Sequence, residues 1–252
     1  MPLTGEVAIV TGSTSGLGVV IARRLIDAGA RVVITGRDSS RGTAVAEQLG
    51  ALFIAADLTS EDACRALVSE VVENVGPPSS LVNNAVDPAV LSHDGPVGST
   101  DAELWRATLD VVLVAAATMC RLVIPPMVEA GHGSIVNISS RAAARGTPGV
   151  SAYSASKAGL EALARSITVD YARAGVRCNV VQAGYIVHEE RDREMSAERR
   201  ARYEGMHLTR LPTAEDVAAA VVFLAGPDAE VITGITLPVD GGSSAVRGTT
   251  LG

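Results

Sequence analysis

The chain has 252 residues, which is enough to bury a full core as one large domain or two small ones. Its net charge of -7 argues against nucleic acid as a partner, since phosphate binding needs a basic face. The three cysteines are odd in number and far apart, and the four histidines show no metal-ligand spacing, so neither a disulfide framework nor a metal site is predicted.

The first residues, MPLTGEVAIVTG, lack the charged start and the cleavage site of a secretion signal. No continuous apolar run reaches the roughly 18 to 20 residues of a membrane helix. The closest run, residues 111–120, lies between Asp110 and Arg121. We therefore expect a cytoplasmic protein with no membrane partner.

Short runs rich in β-branched residues alternate with longer amphipathic stretches along the whole chain. The short runs predict strands at 6–12, 31–36, 51–57, 80–85, 134–140, 176–182 and 234–240. The amphipathic stretches predict helices at 16–29, 42–50, 61–76, 101–124, 151–174 and 213–226, with Pro125-Pro126 ending the fourth. This alternation predicts one α/β domain over residues 1–252, a Rossmann-type, doubly wound fold with a seven-stranded parallel sheet and helices on both faces.

Two segments interrupt the alternation. Residues 86–100 are rich in turn formers and predict a loop. Residues 188–204 are a dense run of mixed charge with two compatible interpretations, a solvated helix held by ion pairs four residues apart or a mobile lid. Because this run follows the end of the sixth strand, a substrate lid is predicted around residues 186–210.

The first strand ends in TGSTSGLG, with glycines at positions 12, 16 and 18. Glycine permits the tight turn and lets backbone N–H groups approach a pyrophosphate at the start of the next helix. Ligands of such sheets bind beyond the carboxyl ends of the strands. We therefore predict that Gly12, Gly16 and Gly18 bind a dinucleotide.

Charged residues follow the second and third strands. Arg37, after Gly36, favours NADP over NAD, because an arginine at this place accommodates a 2′-phosphate. Asp38 is either a solvated turn residue or a ribose ligand. Asp57 either accepts a hydrogen bond from the adenine amino group or caps a helix that begins near Thr59.

The chain has a single lysine, Lys157, four residues after Tyr153 and therefore on the same helix face. A phenol has a pKa of about 10, and a neighbouring cation lowers that pKa toward the range useful for proton transfer. A compact ammonium can also hold ribose hydroxyls, for which a planar guanidinium has the wrong reach. The alternative is an ordinary pair of surface side chains.

Ser140 ends the fifth strand on the edge of the sheet where the nucleotide turn lies. A hydroxyl there can hydrogen-bond a substrate carbonyl while Tyr153 transfers the proton. Ser139 should point to the opposite face, because side chains alternate along a strand.

With these residues in place, the sequence resembles the short-chain dehydrogenase/reductase family over nearly its whole length, and especially its 3-oxoacyl-carrier-protein reductase-like members. The motifs that carry the resemblance are TGSTSGLG at 11–18, NNA at 83–85, the spacing of Ser140, Tyr153 and Lys157, and ITLPVDGG at 235–242.

The resemblance implies a role for each of these residues. Tyr153 is the general acid/base, Lys157 holds the nicotinamide ribose and lowers the pKa of the tyrosine, and Ser140 orients the carbonyl. The further positions that correspond to the family's cofactor contacts are Ser15, Leu17, Leu58, Asn84, Ala85, Gly184, Ile186 and His188, the last being a histidine where the family commonly has threonine. A homodimer or homotetramer is also implied, paired through the helices at 101–124 and 151–174.

The chain departs from the family's pattern around the expected nicotinamide. Val112 stands where the family usually has an asparagine that anchors a water relay to the lysine. Asp110 lies about 200° away around a helix, whereas Thr108, one turn earlier, faces the same way as Val112. Three further replacements of the family's usual residue are Val86 for glycine, Ala183 for proline and His188 for threonine.

Three functions fit this pattern. The first is an NADP-dependent oxidoreductase that interconverts a ketone and a secondary alcohol by hydride transfer, with a small-molecule carbonyl or alcohol compound as substrate. The second is an enzyme of the same fold that performs non-redox chemistry such as dehydration or cyclisation, as the replacements at Val112 and Val86 suggest. The third is a nucleotide-binding regulator without catalysis, against which the retained Lys157 counts.

Overall fold

The structure, a computed structural model, describes residues 1–187 and 192–245. It contains a seven-stranded, all-parallel sheet in the order β3-β2-β1-β4-β5-β6-β7. The strands are β1 Val7–Thr11, β2 Arg31–Gly36, β3 Leu52–Ala55, β4 Ser80–Asn83, β5 Gly133–Ser140, β6 Val176–Ala183 and β7 Thr236–Val239. The predicted fold is confirmed, and the chain order reverses between β1 and β4, where sheets of this kind bind ligands.

Helices cover both faces of the sheet. They are α1 Gly16–Asp27, α2 Ser39–Leu49, α3 Glu61–Asn74, α4 Pro88–Leu91, α5 Ala102–Leu109, α6 Ala115–Ala130, α7 Ser151–Tyr171, α8 Ala197–Glu204 and α9 Ala214–Ala225. On one face, Leu25 of α1 and Val221 of α9 belong to the same buried cluster. On the other, Met119 of α6 and Ile167 of α7 do so. Because the sheet is covered on both faces, its strands are continuous apolar runs in the sequence.

Helices α5 and α6 join through a π-helical turn at Asp110–Val114, so residues 102–130 form one continuous helix. The prediction that Pro125-Pro126 would end this helix is wrong. Its apolar face continues beyond the prolines, where Met127 is fully buried. The helix instead ends at Gly131, whose φ of 72° is a left-handed conformation that glycine adopts readily.

By length and composition alone, this continuous helix is also apolar enough to cross a membrane. No uninterrupted apolar run of that length exists in the sequence, because Arg121 divides it. In the most apolar 18-residue stretch of this helix, 44% is buried within the fold. Helix α6 packs against α3, α7 and the sheet. Core helices of soluble proteins can be equally long and apolar, so length and composition do not identify a membrane span here.

The other predicted strands and helices are present with small shifts at their ends. The segment 86–100 is not entirely loop, because it contains α4, which Asp87 caps by accepting from the backbone N of Ala89 at 3.0 Å. The helical interpretation of the charged run is confirmed for α8, which buries none of its residues. The lid stays a prediction, and residues 188–191 lie outside the described part of the chain.

Candidate active site

The turn after β1 comes very close to the end of β4. Gly12 has a φ of 61°, and a Cβ on it would lie 2.7 Å from the Cα of Ala85. A Cβ on Gly18 would lie 2.3 Å from the carbonyl oxygen of Gly12. Asn84 closes the turn, its Nδ2 donating to the carbonyls of Thr11 and Gly12, both at 3.0 Å. Glycine is therefore needed at both positions for these backbone segments to meet.

A cleft of about 830 Å³ opens beyond this turn. The predicted cofactor residues that line it are Gly12, Ser15, Gly16, Leu17, Gly18, Arg37, Asp57, Leu58, Asn84 and Ala85. Val86, the replacement for the family's glycine, belongs to the same wall. The volume of the cleft and its place beyond the strand ends suit a dinucleotide, whose adenosine half would lie toward β2 and β3.

Charged side chains at the β2 end of the cleft are paired with one another. Arg37 donates from Nη2 to Oδ2 of Asp87 at 2.8 Å. Asp38 caps α2 by accepting from the backbone N of Arg41 at 2.9 Å, and it also forms an ion pair with the Arg41 guanidinium at 3.1 Å. Of the two interpretations of Asp38, these contacts support the turn residue.

Asp57 holds its carboxylate beside the cleft. Its Oδ1 accepts from the hydroxyl of Thr59 at 2.7 Å and from the backbone N of Thr59 at 3.0 Å. These hydrogen bonds lower the pKa of Asp57. The alternative that Asp57 caps a helix near Thr59 is wrong, because α3 begins at Glu61 and is capped by Ser60, which accepts from the backbone N of Ala63.

The predicted catalytic residues come from β5 and α7, beside the cleft but not in its wall. Ser140 is the last residue of β5, and Tyr153 and Lys157 lie in the first turns of α7. The Ser140 hydroxyl is near enough to the Tyr153 phenol to lower its pKa, and Nζ of Lys157 lies 5.6 Å from the centroid of the tyrosine ring. Ser139 has a separate partner, Glu161, at 2.9 Å. The structure thus brings the three predicted side chains together.

An aspartate from a distant loop holds the first turn of α7. Val150, which precedes the helix, provides no side-chain cap. Asp94 instead accepts from the backbone N of Tyr153 at 2.9 Å and from that of Ala152 at 3.2 Å. The segment after β4 that was predicted to be a loop is therefore attached to the backbone of Tyr153 itself.

Burial is the largest influence on the protonation of both side chains of the pair. It raises the pKa of the Tyr153 phenol, and the neighbouring Ser140 hydroxyl acts in the opposite direction. Lys157 is only 2% exposed, and its Nζ donates to the carbonyl oxygen of Ile138 at 2.7 Å. Burial lowers the pKa of this ammonium to about 7. Burial therefore outweighs any lowering of the tyrosine pKa by Lys157, because desolvation disfavours both charged forms.

The departure at Val112 lies in the π-helical turn. Val112 is buried in a small apolar cluster with Ala116 and Leu160. Thr108, which was predicted to face the same way one turn earlier, is fully buried, and its hydroxyl oxygen has no hydrogen-bond partner among the described residues. The helix that carries this hydroxyl, α5, packs on α7, the helix that carries Lys157. A π turn often marks a functional position.

The remaining predicted cofactor residues follow β6. Gly184 donates its N–H to the carbonyl of Val239 at 3.0 Å, and a Cβ on it would lie 2.8 Å from the Cα of Asp240. Ile186 is partly buried and packs against the core cluster that includes the apolar residues of α1 and α9. Both lie beyond the strand that pairs with β5, but neither lines the cleft. His188 lies outside the described residues.

Sequence reasoning missed four charged residues of the site. Arg41, Asp87 and Asp110 line the cleft, and Asp94 caps α7. The Asp-Pro pair at 87–88 and the Asp-Gly-Pro run at 94–96 are recognisable signals for turns and helix starts. Such signals predict a cap, but they do not say which distant group the aspartate will also bind.

Comparisons with known proteins agree with this geometry. Residues 12–244 match the family described as enoyl-(acyl carrier protein) reductase. An L-fucose dehydrogenase of Oryctolagus cuniculus is 36% identical over 251 residues, which cover 97% of this chain and 87% of that protein. A cis-4-hydroxycyclohexanecarboxylate dehydrogenase of Sinomonas cyclohexanicum is 37% identical, covering 96% of this chain and 97% of that protein. A solved structure of a short chain dehydrogenase/reductase family protein has a TM-score of 0.86 and 37% identity, covering 98% of this chain and 100% of that chain.

The all-parallel sheet, the glycine turn and the similarity to dehydrogenases define the class, an α/β oxidoreductase with a Rossmann-type fold. More narrowly, the chain belongs to the short-chain dehydrogenase/reductase family, whose members act on CH–OH or C=O groups with nicotinamide cofactors.

Proposed function

We propose that this chain is an NADP-dependent oxidoreductase that interconverts a ketone and a secondary alcohol, with Tyr153 as general acid/base. The observation that carries the proposal is the meeting of Ser140, Tyr153 and Lys157 beside a glycine-lined cleft at the carboxyl edge of the sheet. Two relatives bear the names of dehydrogenases for hydroxylated compounds, which supports an alcohol or its ketone as the reacting group.

The residues of the cleft fit a nicotinamide dinucleotide. The backbone around Gly12 and Gly18 leaves no room for a Cβ, which supports a pyrophosphate held by backbone N–H groups at the start of α1. Arg37 and Arg41 line the adenosine end and would meet a 2′-phosphate, which favours NADP over NAD. When bound, the nicotinamide supplies the carbon that donates or accepts the hydride.

The chain's own residues would orient the substrate oxygen and move its proton. Ser140 hydrogen-bonds that oxygen and fixes its direction. Tyr153 gives the oxygen a proton in reduction and removes one in oxidation. Lys157, when protonated, favours the phenolate from its position 5.6 Å from the ring centroid. It would therefore lower the barrier to proton removal during alcohol oxidation.

The test of this proposal is Tyr153→Phe. The variant keeps the ring that packs in the site and removes only the proton-carrying oxygen. We expect kcat to fall by about 10² to 10⁴, the usual contribution of a general acid/base, while the Kd for NADP⁺ changes little. Cofactor oxidation with a panel of ketones, and isothermal calorimetry with NADP⁺ and NAD⁺, measure the two quantities separately.

Tyr171→Phe is the matched control, because Tyr171 ends the same helix and is partly exposed. It should turn over like the unmodified protein. Full turnover by Tyr153→Phe would exclude the mechanism. Substrate conversion without matching net oxidation of the cofactor would favour the non-redox alternative instead.

We also propose a homodimer or homotetramer in the cytoplasm. Supporting the assembly, Val114 is 50% exposed in the π-helical turn and Val169 is 83% exposed near the end of α7. Exposed apolar side chains on neighbouring long helices often mark the contacts between subunits. Cell fractionation tests the location, and light scattering tests the assembly.

A further inference from the structure

An ion pair joins the loops that follow β2 and β4 at the mouth of the cleft. Arg37, just after β2, donates to Asp87, just after β4, over a distance of 2.8 Å. In the sheet, β2 and β4 flank β1, so the pair spans the end of β1, where the glycine turn begins. Both residues line the cleft.

The two partners of this ion pair are held very differently. The Asp87 side chain is only 11% exposed, whereas that of Arg37 is 61% exposed. The second carboxylate oxygen of Asp87 accepts from the backbone N of Ala89 at 3.0 Å and caps α4. The carboxylate is thus anchored by the backbone, and the guanidinium of Arg37 is drawn to it.

The second cation at this end of the cleft is in a looser pair. Arg41 lies 3.1 Å from Asp38, three residues earlier in the chain, and both side chains are about half exposed, at 56% and 46%. Ion pairs with this exposure are weak in water and open readily. Arg37 is therefore the cation whose availability a fixed carboxylate inside the cleft restricts.

We propose that Asp87 is a specificity-determining residue that weakens the preference of this site for NADP over NAD. The inference rests on the proposed nucleotide site. The Asp87 carboxylate competes with a 2′-phosphate for Arg37, and it repels that phosphate across a partly enclosed cleft where charges are poorly screened. NAD carries no phosphate at this position, so its binding leaves the pair intact.

The decisive variant is Asp87→Asn. Asparagine keeps an oxygen that can cap α4, since it is as good a cap as aspartate, but it removes the negative charge. We expect the Kd for NADP⁺ to fall about 5- to 10-fold and the Kd for NAD⁺ to change less than about twofold, both by isothermal calorimetry. Adenosine 2′,5′-bisphosphate and AMP repeat the comparison without the nicotinamide.

Two further variants separate this mechanism from a general change of charge. Asp110→Asn removes a carboxylate from the same cleft without touching Arg37, and it should change the ratio of the two Kd values much less. In an Arg37→Ala background, Asp87→Asn should lose its effect on that ratio.

The results of these measurements either support or overturn the proposed role of Asp87. Equal tightening of both dinucleotides by Asp87→Asn, an unchanged ratio, or an effect that survives in Arg37→Ala would overturn the role of Asp87 while leaving the proposed function standing. Failure of the unmodified protein to bind either dinucleotide would overturn the proposed function and this inference together.

Discussion

Lys157 is a buried side chain whose charged form is disfavoured by the fold. Its ammonium is almost completely removed from water, and its described hydrogen bond runs from Nζ to the carbonyl of Ile138. Burial lowers its pKa to about 7, so near neutrality the folded protein holds this proton weakly. An unfolded chain would hold it up to the ordinary pKa of lysine.

The substitution Lys157→Met therefore has a pH-dependent effect on stability. Between pH 7 and the ordinary lysine pKa, the unfolded chain binds the proton and the folded protein does not, so the unmodified protein gains stability as the pH rises. We therefore compare the free energy of unfolding of Lys157→Met with that of the unmodified protein. The difference should be most favourable to the variant at pH 7 and below, and it should shift by about 2 to 4 kcal/mol toward the unmodified protein by pH 10. Urea unfolding of both proteins without added nucleotide measures the difference.

Lys157→Arg is the control for this prediction, because guanidinium does not lose its proton in the measured range. The free energies of unfolding of Lys157→Arg and Lys157→Met should differ by a nearly constant amount between pH 7 and pH 10. A pH-independent difference between the methionine variant and the unmodified protein would contradict a buried ammonium of low pKa.

At this scale, sequence predicted which side chains lie close together better than it predicted their protonation state. The i,i+4 spacing placed Tyr153 and Lys157 on one helix face, because helical geometry is local. The pKa of each side chain depends on how deeply the whole fold buries it, which no local pattern contains. Likewise Arg37 was identified from its place after a strand, whereas its partner Asp87 is fifty positions away in the chain.

At the scale of elements, Asp94 links two segments that a sequence pattern treats separately. Its carboxylate accepts from the first N–H groups of α7, which are those without partners inside the helix. A negative charge there also interacts favourably with the helix dipole. The start of the helix that carries Tyr153 is thereby fixed by the loop after β4.

We predict that Asp94→Ala lowers both stability and catalysis. The loss of an N-cap costs about 1 kcal/mol of the free energy of unfolding, and the freed first turn should shift Tyr153 and lower kcat about 10-fold or more, as small displacements of reacting groups do. Urea unfolding and steady-state kinetics measure the two effects.

Asp101→Ala offers a matched comparison. Asp101 caps α5 by accepting from the backbone N of Leu104 at 2.8 Å, and α5 carries none of the proposed catalytic groups. It should lose similar stability with a much smaller change in kcat. Equal losses of kcat in the two variants would mean that Asp94 acts only through general stability.

The long helix of residues 102–130 shows why element boundaries are harder to predict than elements. Two consecutive prolines are strong local signals for a helix end. They fail here because the buried face extends past them to Met127, so packing against the sheet outweighs the two missing N–H donors. The glycine at position 131, also visible in the sequence, gives the true end.

For the whole molecule, the proposed self-association makes a measurable prediction. Val169 is 83% exposed on α7, where a valine gains nothing from packing within one chain. Val169→Glu should lower the molar mass measured by light scattering, because a charge at an apolar subunit contact is costly to bury. Val97→Glu, at a 68% exposed valine outside the long helices, should leave the mass unchanged. A monomeric mass for the unmodified protein would refute the assembly.

The architecture as a whole was the most predictable property of this chain. Alternating strand and helix patterns over the full length allow few arrangements other than a parallel sheet with helices on both faces. Within that frame, glycine at positions 12 and 18 marked the nucleotide turn, because close backbone approach leaves a direct trace in the sequence. The ion pair between Arg37 and Asp87 could not be predicted in this way. It is formed by two loops whose conformations the sequence pattern does not define.

The solitary lysine also makes the protein an unusual target for chemical labelling. Reagents that acylate amines find a single side-chain amine in the whole sequence, and that amine is enclosed within the site. Modification of Lys157 therefore requires the start of α7 to separate from β5, where Ile138 holds the amine. The rate of acylation at this one position would report, without any inserted probe, how often the start of α7 opens.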